Sequence, residues 1–254
     1  MKLTKMMTGL AIAAVTAFGM LSAPAHAADT IRIGTEGAYP PFNFVDSNGE
    51  LQGFDIDIAK AVCENMGAEC TFVKQDWDGI IPALLGKKFD AIVASMSITE
   101  ERKQAVDFTD RYYTNKLRFV GKTGAAFDTS AEALKGKAIG AQRATISGDW
   151  LEKNRPGADL KLYDTQENAY LDLASGRLEG VLADALVNYG WLNSDAGKGY
   201  EFKGDAVFDG DLIGIAVRKG DGELREKINK ALAAIVADGT YAKINAKYFP
   251  FSIY

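Results

Sequence analysis

The sequence predicts an α/β protein made of two units, each with a mostly parallel sheet flanked by helices. A β-α-β-α-β alternation occurs twice with short connections, first over residues 30–94 and again over residues 137–184. Within each alternation, short apolar runs typical of buried strands end in small or polar residues just before a helix begins. About 227 residues follow an N-terminal leader, which is enough for one large domain or for two of roughly 110 residues each.

The first 27 residues have the three parts of a secretory signal peptide. Lys2 and Lys5 form a positive start, residues 10–18 form a compact apolar run, and an Ala-His-Ala motif ends at Ala27. The alternative is a membrane anchor, but a spanning helix needs about 20 apolar residues and no second hydrophobic segment follows. We therefore predict cleavage after Ala27 and export of the remaining chain.

The composition of the exported chain excludes several functional classes. The whole sequence has 29 basic and 34 acidic residues, and the leader removes two lysines, which leaves a net charge of about −7. An acidic chain without a basic tract binds nucleic acids and anionic membranes poorly. The single histidine, His26, lies in the leader. Its loss removes Ser-His-Asp and Cys-His catalysis and the commonest zinc ligand, and we predict neither a metal nor a cofactor.

Cys63 and Cys70 are the two cysteines of the chain. In an exported protein, two cysteines usually form one disulfide. Gly67 between them is a typical helix C-cap, which places Cys63 at the end of a helix and Cys70 at the start of the next strand. The alternative, a redox-active pair, favours the C-x-x-C spacing, which is absent here. We predict a structural disulfide at this helix–strand corner.

The first unit is predicted to contain three parallel strands with helices between them. Two short extended runs flank a turn at 46–49, which indicates a hairpin. Asp55 is predicted to cap the helix that follows, and Thr99 to cap a short helix whose first turn contains Arg102. The predicted strands are 30–34, 70–74 and 89–94, and the longer predicted helices are 56–66 and 80–85.

The second unit repeats the pattern after an extended, aromatic-rich stretch at 106–120. Thr165 is predicted to cap a helix that stops at Gly176. The predicted strands are 137–141, 160–163, 178–184 and a late 213–217, and the predicted helices are 146–153, 166–174, 185–192, 223–237 and 241–248. The late helices are expected to pack back on the first unit. This makes lobe 1 discontinuous, from 28–114 and 213–254, with lobe 2 at 115–212.

The ends of the predicted strands carry a set of residues suited to a small charged ligand. In open parallel sheets, ligands bind outside the carboxyl ends of the strands. Arg102 follows a strand end and is able to hold a carboxylate with two parallel hydrogen bonds. The strand-end loops hold Glu36, Tyr39, Trp77, Ser95, Met96, Ser97, Arg102, Ala144, Thr145 and Asp184. A carboxylate clamp, two separate acids and aromatic faces suit a zwitterion that carries an extra positive charge.

Each of these residues also has a structural explanation when it is taken alone. Glu36 is explained as a surface acid, and Tyr39, which precedes two prolines, is explained as a packing residue. Trp77, which lies between two aspartates, is explained as a side chain that packs over the core. Asp184 at a strand end reads as an N-cap for the next helix. Their shared position at strand ends of both units favours the ligand site.

Several motifs resemble the periplasmic polar amino-acid-binding proteins of ABC importers, of the lysine/arginine/ornithine- and histidine-binding type. The matching stretches span nearly the whole exported chain and lie at 32–42, 53–58, 76–84, 95–102, 174–180, 238–241 and 247–249. The resemblance implies the type II fold of periplasmic binding proteins, with two lobes joined by a two-stranded hinge. It implies a monomer that is not an enzyme, captures a cationic amino acid and passes it to a membrane permease.

The resemblance also implies a role for each site residue. Arg102 holds the α-carboxylate with help from Ser97 and from backbone N–H groups, including that of Thr145. Asp184 takes the α-ammonium, with Ser95 as a second acceptor. Tyr39 and Trp77 lie on either side of the ligand side chain, and Glu36 contacts its distal cation. Met96 and Ala144 make further contacts with the ligand. Cys63 and Cys70 match the family's disulfide.

Three departures from the family pattern concern the ligand. Ala144 stands where many members have serine, Ile146 where the basic-amino-acid binders carry a polar side chain, and Glu36 where they often have aspartate. The expected ligand is arginine, ornithine or lysine, with histidine as a further candidate. The alternatives are an opine or polyamine-like cation, or a dehydratase-like enzyme on the same fold. A receptor in place of a permease is a further alternative partner.

Overall fold

The structure is a computed structural model that describes residues 29–254, so the predicted signal peptide at 1–27 lies outside the described residues. The strands are β1 (Thr30–Thr35), β2 (Ala38–Tyr39), β3 (Asn43–Val45), β4 (Leu51–Gln52), β5 (Glu69–Lys74), β6 (Ala91–Ile92), β7 (Val106–Lys122), β8 (Ala138–Gln142), β9 (Asp159–Tyr163), β10 (Gly180–Asp184) and β11 (Tyr200–Arg218). The helices are α1 (Phe54–Asn65), α2 (Ile80–Leu85), α3 (Glu100–Ala105), α4 (Ile146–Asn154), α5 (Gln166–Ala174), α6 (Ala185–Leu192), α7 (Gly222–Ala237) and α8 (Thr240–Tyr248), with a 3-10 turn at Trp77–Gly79. Over residues 29–254, no helix combines the length and apolar character needed to cross a membrane.

The strands form one eight-stranded mixed sheet and one small antiparallel sheet. The large sheet has the order β5-β1-β6-β11-β7-β10-β8-β9, and the small one has the order β2-β3-β4. Strands β5, β1 and β6 are parallel to one another, as are β10, β8 and β9. We call the first set with its helices the first half and the second set the second half. The α/β class with two mostly parallel units is confirmed.

Two long antiparallel strands, β7 and β11, join the halves. Strand β11 pairs with β6 of the first half and with β7, and β7 pairs in turn with β10 of the second half. The sequence predicted the extended stretch of β7 but only residues 213–217 of β11. The lobe boundaries at 114/115 and 212/213 remain a prediction, since both strands run through these points without a break.

The C-terminal helices pack against the first half, as the sequence predicted. Ile228, Ala231, Leu232 and Ile235 recur at helical spacing on α7 and are all buried. They belong to the same apolar core as α1 and the first-half strands. The chain therefore leaves the first half once through β7 and returns to it through β11.

The start of α1 differs from the prediction. The helix begins at Phe54 with Gly53 at the N-cap, so Asp55 lies in the first turn and does not cap the helix. Gly53 has a φ of 123°, and a Cβ atom there would lie 2.2 Å from the Phe42 carbonyl oxygen, so only glycine fits. Asp55 is instead buried, with consequences for the site described below.

Cys63 and Cys70 form a disulfide, as predicted, with their Cα atoms 5.8 Å apart. It links the last turn of α1 to strand β5 at the outer edge of the first half. The described residues contain no free cysteine. The bond therefore joins two elements of one half and does not cross between the halves.

Candidate ligand-binding site

A cavity lies between the two halves. Eight of the ten predicted site residues line it, and they come from both halves. The full lining is Glu36, Tyr39, Trp77, Ala94, Ser95, Ser97, Arg102, Gln142, Thr145, Ile146 and Asp184. The walls are thus built from strand ends of both parallel sets, the location that parallel sheets favour for a ligand.

Arg102 is held in place by the backbone of both halves. Thr99 caps α3 by accepting a hydrogen bond from the Arg102 backbone N–H, which fixes the start of the helix. The Arg102 guanidinium donates to the Ser97 carbonyl at 3.0 Å and to the Ala144 carbonyl at 3.1 Å. Burial lowers the pKa of Arg102 from its usual value, which still leaves the group charged. A guanidinium has five N–H donors, so donors remain for a carboxylate.

Trp77 also spans the cleft. Its ring lies 5.2 Å from the Arg102 guanidinium carbon, and its indole N–H donates to the Ala144 carbonyl at 2.8 Å. Ala144 therefore accepts from two first-half side chains through one carbonyl oxygen. It has a φ of 55°, a left-handed conformation that is uncommon for alanine. The Ala144 side chain does not line the cavity, and its contribution to the site is this carbonyl.

Two buried acids face the cavity. Asp184 ends β10 and occupies the N-cap position of α6, yet its side chain makes no capping hydrogen bond. Burial, and next the charge of Asp211, raise the pKa of Asp184, while its neighbours Tyr39, Asn115 and Arg102 lower it. The absence of a capping bond removes the simplest structural explanation for Asp184 and leaves its oxygens directed to other partners.

Glu36 is the second acid, and it is held across the cleft. The Gln142 side chain of the second half donates to a Glu36 carboxylate oxygen at 2.6 Å and to the Asp164 carbonyl at 3.0 Å. Burial raises the pKa of Glu36 to about 7. The sequence did not single out Gln142, because an amide at a strand end has no charge or spacing that marks it as functional.

Ser95 is held by a buried polar network that includes Asp55. The Ser95 hydroxyl donates to Asp55 at 2.9 Å, and its backbone N–H donates at 3.3 Å to the Tyr112 hydroxyl, which itself donates to Asp55 at 2.6 Å. Asn43 donates to the same carboxylate and accepts from the Gly37 N–H in the loop between Glu36 and Tyr39. Asp55 therefore anchors two stretches of the cavity wall.

Three further predicted residues have defined positions. The Ser97 hydroxyl donates to Asp211 at 3.2 Å, and Thr145 caps α4 by accepting from the Gly148 N–H. The Met96 side chain is fully buried in a core cluster with Trp77 and Ile80 and does not line the cavity. Only the Met96 backbone is therefore placed to take part in the site.

Asp211 is a further residue beside the site that the sequence did not single out. It lies on β11, is 4% exposed, and accepts hydrogen bonds from Ser97 and Asn115. It does not stand at the carboxyl end of a parallel strand, so the strand-end argument gave no reason to select it.

Comparison with known proteins agrees with this architecture. The chain is 46% identical to the L-arginine-binding protein of Pseudomonas aeruginosa, covering 98% of this chain and 99% of that protein. It is 41% identical to the histidine-binding periplasmic protein of Escherichia coli strain K12, covering 96% and 97%. Among solved structures, an ancestral arginine-binding protein bound to arginine matches with a TM-score of 0.83 and 44% identity, over 88% of this chain and 100% of that one.

The family assignment rests on nearly the whole described chain. Residues 31–251 match the bacterial extracellular solute-binding proteins, family 3. Both curated relatives are binding proteins, and the histidine-binding relative is periplasmic. The chain therefore belongs to family 3 of the bacterial extracellular solute-binding proteins.

Proposed function

We propose that the protein captures a cationic amino acid in the periplasm and delivers it to the membrane permease of an ABC importer. The observation that carries the proposal is the charge pattern of the cavity, which is lined by Arg102, Asp184 and Glu36. One cation and two anions complement a ligand with one carboxylate and two positive groups. Desolvating these charges is costly, so a ligand that leaves one unpaired binds poorly.

Each charged group has a defined partner on the ligand. Arg102 pairs with the α-carboxylate, because its remaining N–H donors form a fork that matches two carboxylate oxygens. Asp184 pairs with the α-ammonium, and Ser95 adds a hydroxyl. Glu36 pairs with the distal cation.

The uncharged walls serve the rest of the ligand. Tyr39 and Trp77 flank its aliphatic or guanidinium part, since tryptophan offers the better face for a cation. The backbone N–H groups of Ser97 and Thr145 add donors for the carboxylate. Ile146 adds an apolar surface to the cavity.

We favour L-arginine among the cationic amino acids. The relative with 46% identity binds L-arginine, and the ancestral structure with 44% identity holds arginine. Glu36 accepts from Gln142 through one oxygen, which leaves the second oxygen for a donor of the ligand. A planar guanidinium also stacks on Trp77 better than a compact ammonium does.

Binding is coupled to closure of the two halves. Three side chains, Trp77, Arg102 and Gln142, donate directly across the cleft. Because β7 and β11 are the two strands that run between the halves, bending of these strands opens and closes the cavity. The protein acts as a monomer, and the closed form is the one that the permease recognises.

Isothermal titration of the purified protein with L-arginine, L-ornithine, L-lysine and L-histidine tests the proposal. We expect a dissociation constant in the micromolar range or tighter, about −8 kcal/mol or more favourable, for at least one of them. No heat with any of the four at millimolar concentration would contradict it. Native mass spectrometry of the protein before titration identifies any ligand retained through purification.

The alternatives make different predictions in the same experiments. A polyamine-like cation such as agmatine lacks the carboxylate and leaves Arg102 without a partner, so we expect agmatine to bind much more weakly than arginine. An opine would appear as a retained mass in the native spectrum. Turnover of candidate cyclic acids, followed by mass spectrometry, would instead indicate a dehydratase.

A further inference from the structure

A pair of buried carboxylates lies on the central strands, and only one of them has a role in the proposed function. In the register of the sheet, Asp211 of β11 lies opposite Asn115 of β7, and Asp184 of β10 lies opposite Leu117 on the other edge of β7. Asn115 and Leu117 are two residues apart and therefore point to the same face. The two aspartates thus flank one face of the strand that joins the halves.

One amide lies beside the pair. The Asn115 side chain donates to Asp211 at 3.2 Å and also lowers the pKa of Asp184. This orientation leaves the Asn115 carbonyl oxygen buried without a hydrogen-bond partner among residues 29–254. Leaving a buried acceptor unpaired is costly, and the hydrogen bond from Asn115 to the charged Asp211 carboxylate offsets this cost.

The pair has no cation of its own in direct contact. Within the described chain, no lysine or arginine nitrogen lies within 4.0 Å of either carboxylate. Arg102 acts on both from a greater distance, while its own N–H groups donate to backbone carbonyls. Buried carboxylates are almost always paired, so a second positive group is expected beside them.

The bulge at Gly210 turns Asp211 inward, toward Ser97. Asp209 and Asp211 would share a face in a regular strand, but Gly210 has a φ of 78° and the register shifts at this point. Asp209 is 67% exposed and pairs with Lys116 at 2.9 Å, whereas Asp211 is 4% exposed and contacts Ser97 of the cavity wall. The same strand therefore holds a buried acid and a matched exposed one.

Building on the proposed function, we propose that Asp211 is a specificity residue for the ammonium end of the ligand, acting with Asp184 as one acidic pair. Asp211 does not line the cavity, so it acts through its field and through Ser97 and Asn115. Its negative charge favours ligands that bring a positive group to Asp184 and disfavours those that do not. It is therefore a positioning residue rather than a contact residue.

The electrostatic environment supports this role. Burial raises the pKa of both Asp184 and Asp211, and the charge of Asp211 raises the pKa of Asp184 further. Besides burial, the charge of Asp184 raises the pKa of the nearby Tyr39, Tyr113 and Tyr170, and the charge of Arg102 lowers the pKa of both acids. A ligand ammonium reverses the repulsion, because an opposite charge nearby stabilises both carboxylates in their ionised form.

The test compares L-arginine with its deaminated analogue, 5-guanidinopentanoate, by isothermal titration. In the native protein, we expect the analogue to bind at least 100-fold more weakly. Asp211→Asn keeps the shape of the side chain and an oxygen acceptor for Ser97. In this variant, we expect the preference for L-arginine over the analogue to shrink at least five-fold. Asp209→Asn is the matched control and keeps the native preference.

Two further measurements separate charge from structure. Asp211→Glu keeps the charge, so we expect it to retain more of the preference than Asp211→Asn does. If Asp211→Asn fails to fold, Asp211→Ser is measured in its place. If Asp211→Asn keeps the native preference for L-arginine over 5-guanidinopentanoate, the role of Asp211 is overturned and the proposed function is not. If the native protein binds no L-arginine, the proposed function and the role of Asp211 are both overturned.

Discussion

At the scale of single residues, Arg102 is the group on which the proposed binding of the ligand carboxylate depends most. Two backbone carbonyls, one from each half, hold its guanidinium in the cavity wall. Replacing it removes the cation from the cavity lining and takes a donor from the Ser97 carbonyl, whereas the Ala144 carbonyl keeps the indole N–H of Trp77. Within residues 29–254, no other arginine or lysine lines the cavity.

We expect Arg102→Ala to weaken L-arginine binding at least 100-fold, since a bidentate charge-assisted pair contributes several kcal/mol in a buried site. Isothermal titration measures the loss. The control is Arg143→Ala, because Arg143 lies next to Ala144 but is exposed and pairs with Asp164. Retained tight binding in Arg102→Ala, or an equal loss in Arg143→Ala, would show that the carboxylate clamp is misassigned.

Individual residues also show where the sequence was insufficient. Aspartate is a typical N-cap residue, but Gly53 takes the N-cap position of α1 and Asp55 is buried, where it accepts a hydrogen bond from Ser95. Asp211 was missed because the bulge at Gly210 breaks the two-residue alternation on which strand patterns rely. Both side chains owe their positions to long-range contacts that no local pattern contains.

At the scale of elements, helix starts were the most predictable feature. Thr99, Thr145 and Thr165 each accept a backbone hydrogen bond at the start of the next helix. The sequence predicted two of these caps, at Thr99 and Thr165, because the chemistry of a cap is local. The sequence did not predict one continuous sheet, because the pairing of β7 with β10 and of β11 with β6 joins residues that are distant in sequence.

Two equivalent caps allow a test of how α4 serves the site. Thr145→Ala and Thr165→Ala each remove a side-chain cap, so we expect each to lower the free energy of unfolding by about 1 kcal/mol. Only Thr145 lines the cavity, so we expect Thr145→Ala alone to weaken arginine binding, by several-fold. Chemical denaturation and titration measure the two effects. Equal affinities in both variants would show that the start of α4 does not contribute to binding.

At the scale of the whole molecule, the buried acids make stability depend on pH. Burial raises the pKa of Glu36 to about 7 and that of Asp55 to about 6, and it also raises the pKa of Asp184. An acid with a raised pKa in the folded state binds more protons there than when unfolded. Its contribution to the free energy of unfolding is therefore full below the pKa of the unfolded state. This contribution is lost as pH rises through the pKa of the folded state.

We expect the ligand-free protein to be more stable at pH 5 than at pH 8, with the change concentrated between about pH 5 and 7. Saturating L-arginine should reduce or reverse this trend, because its cationic groups favour the ionised carboxylates. Thermal unfolding followed by circular dichroism at both pH values measures the effect. A ligand-free protein that gains stability from pH 5 to pH 8 would contradict the assignment of these acids.

The central claim is that the cavity selects an amino acid with a second positive charge. Titration of the native protein with L-arginine and with L-citrulline tests it most directly, because the two have nearly the same shape and differ in the distal charge that faces Glu36. We predict micromolar or tighter binding of L-arginine and at least 50-fold weaker binding of L-citrulline. Equal affinities for the two, or tighter binding of L-citrulline, would contradict the account.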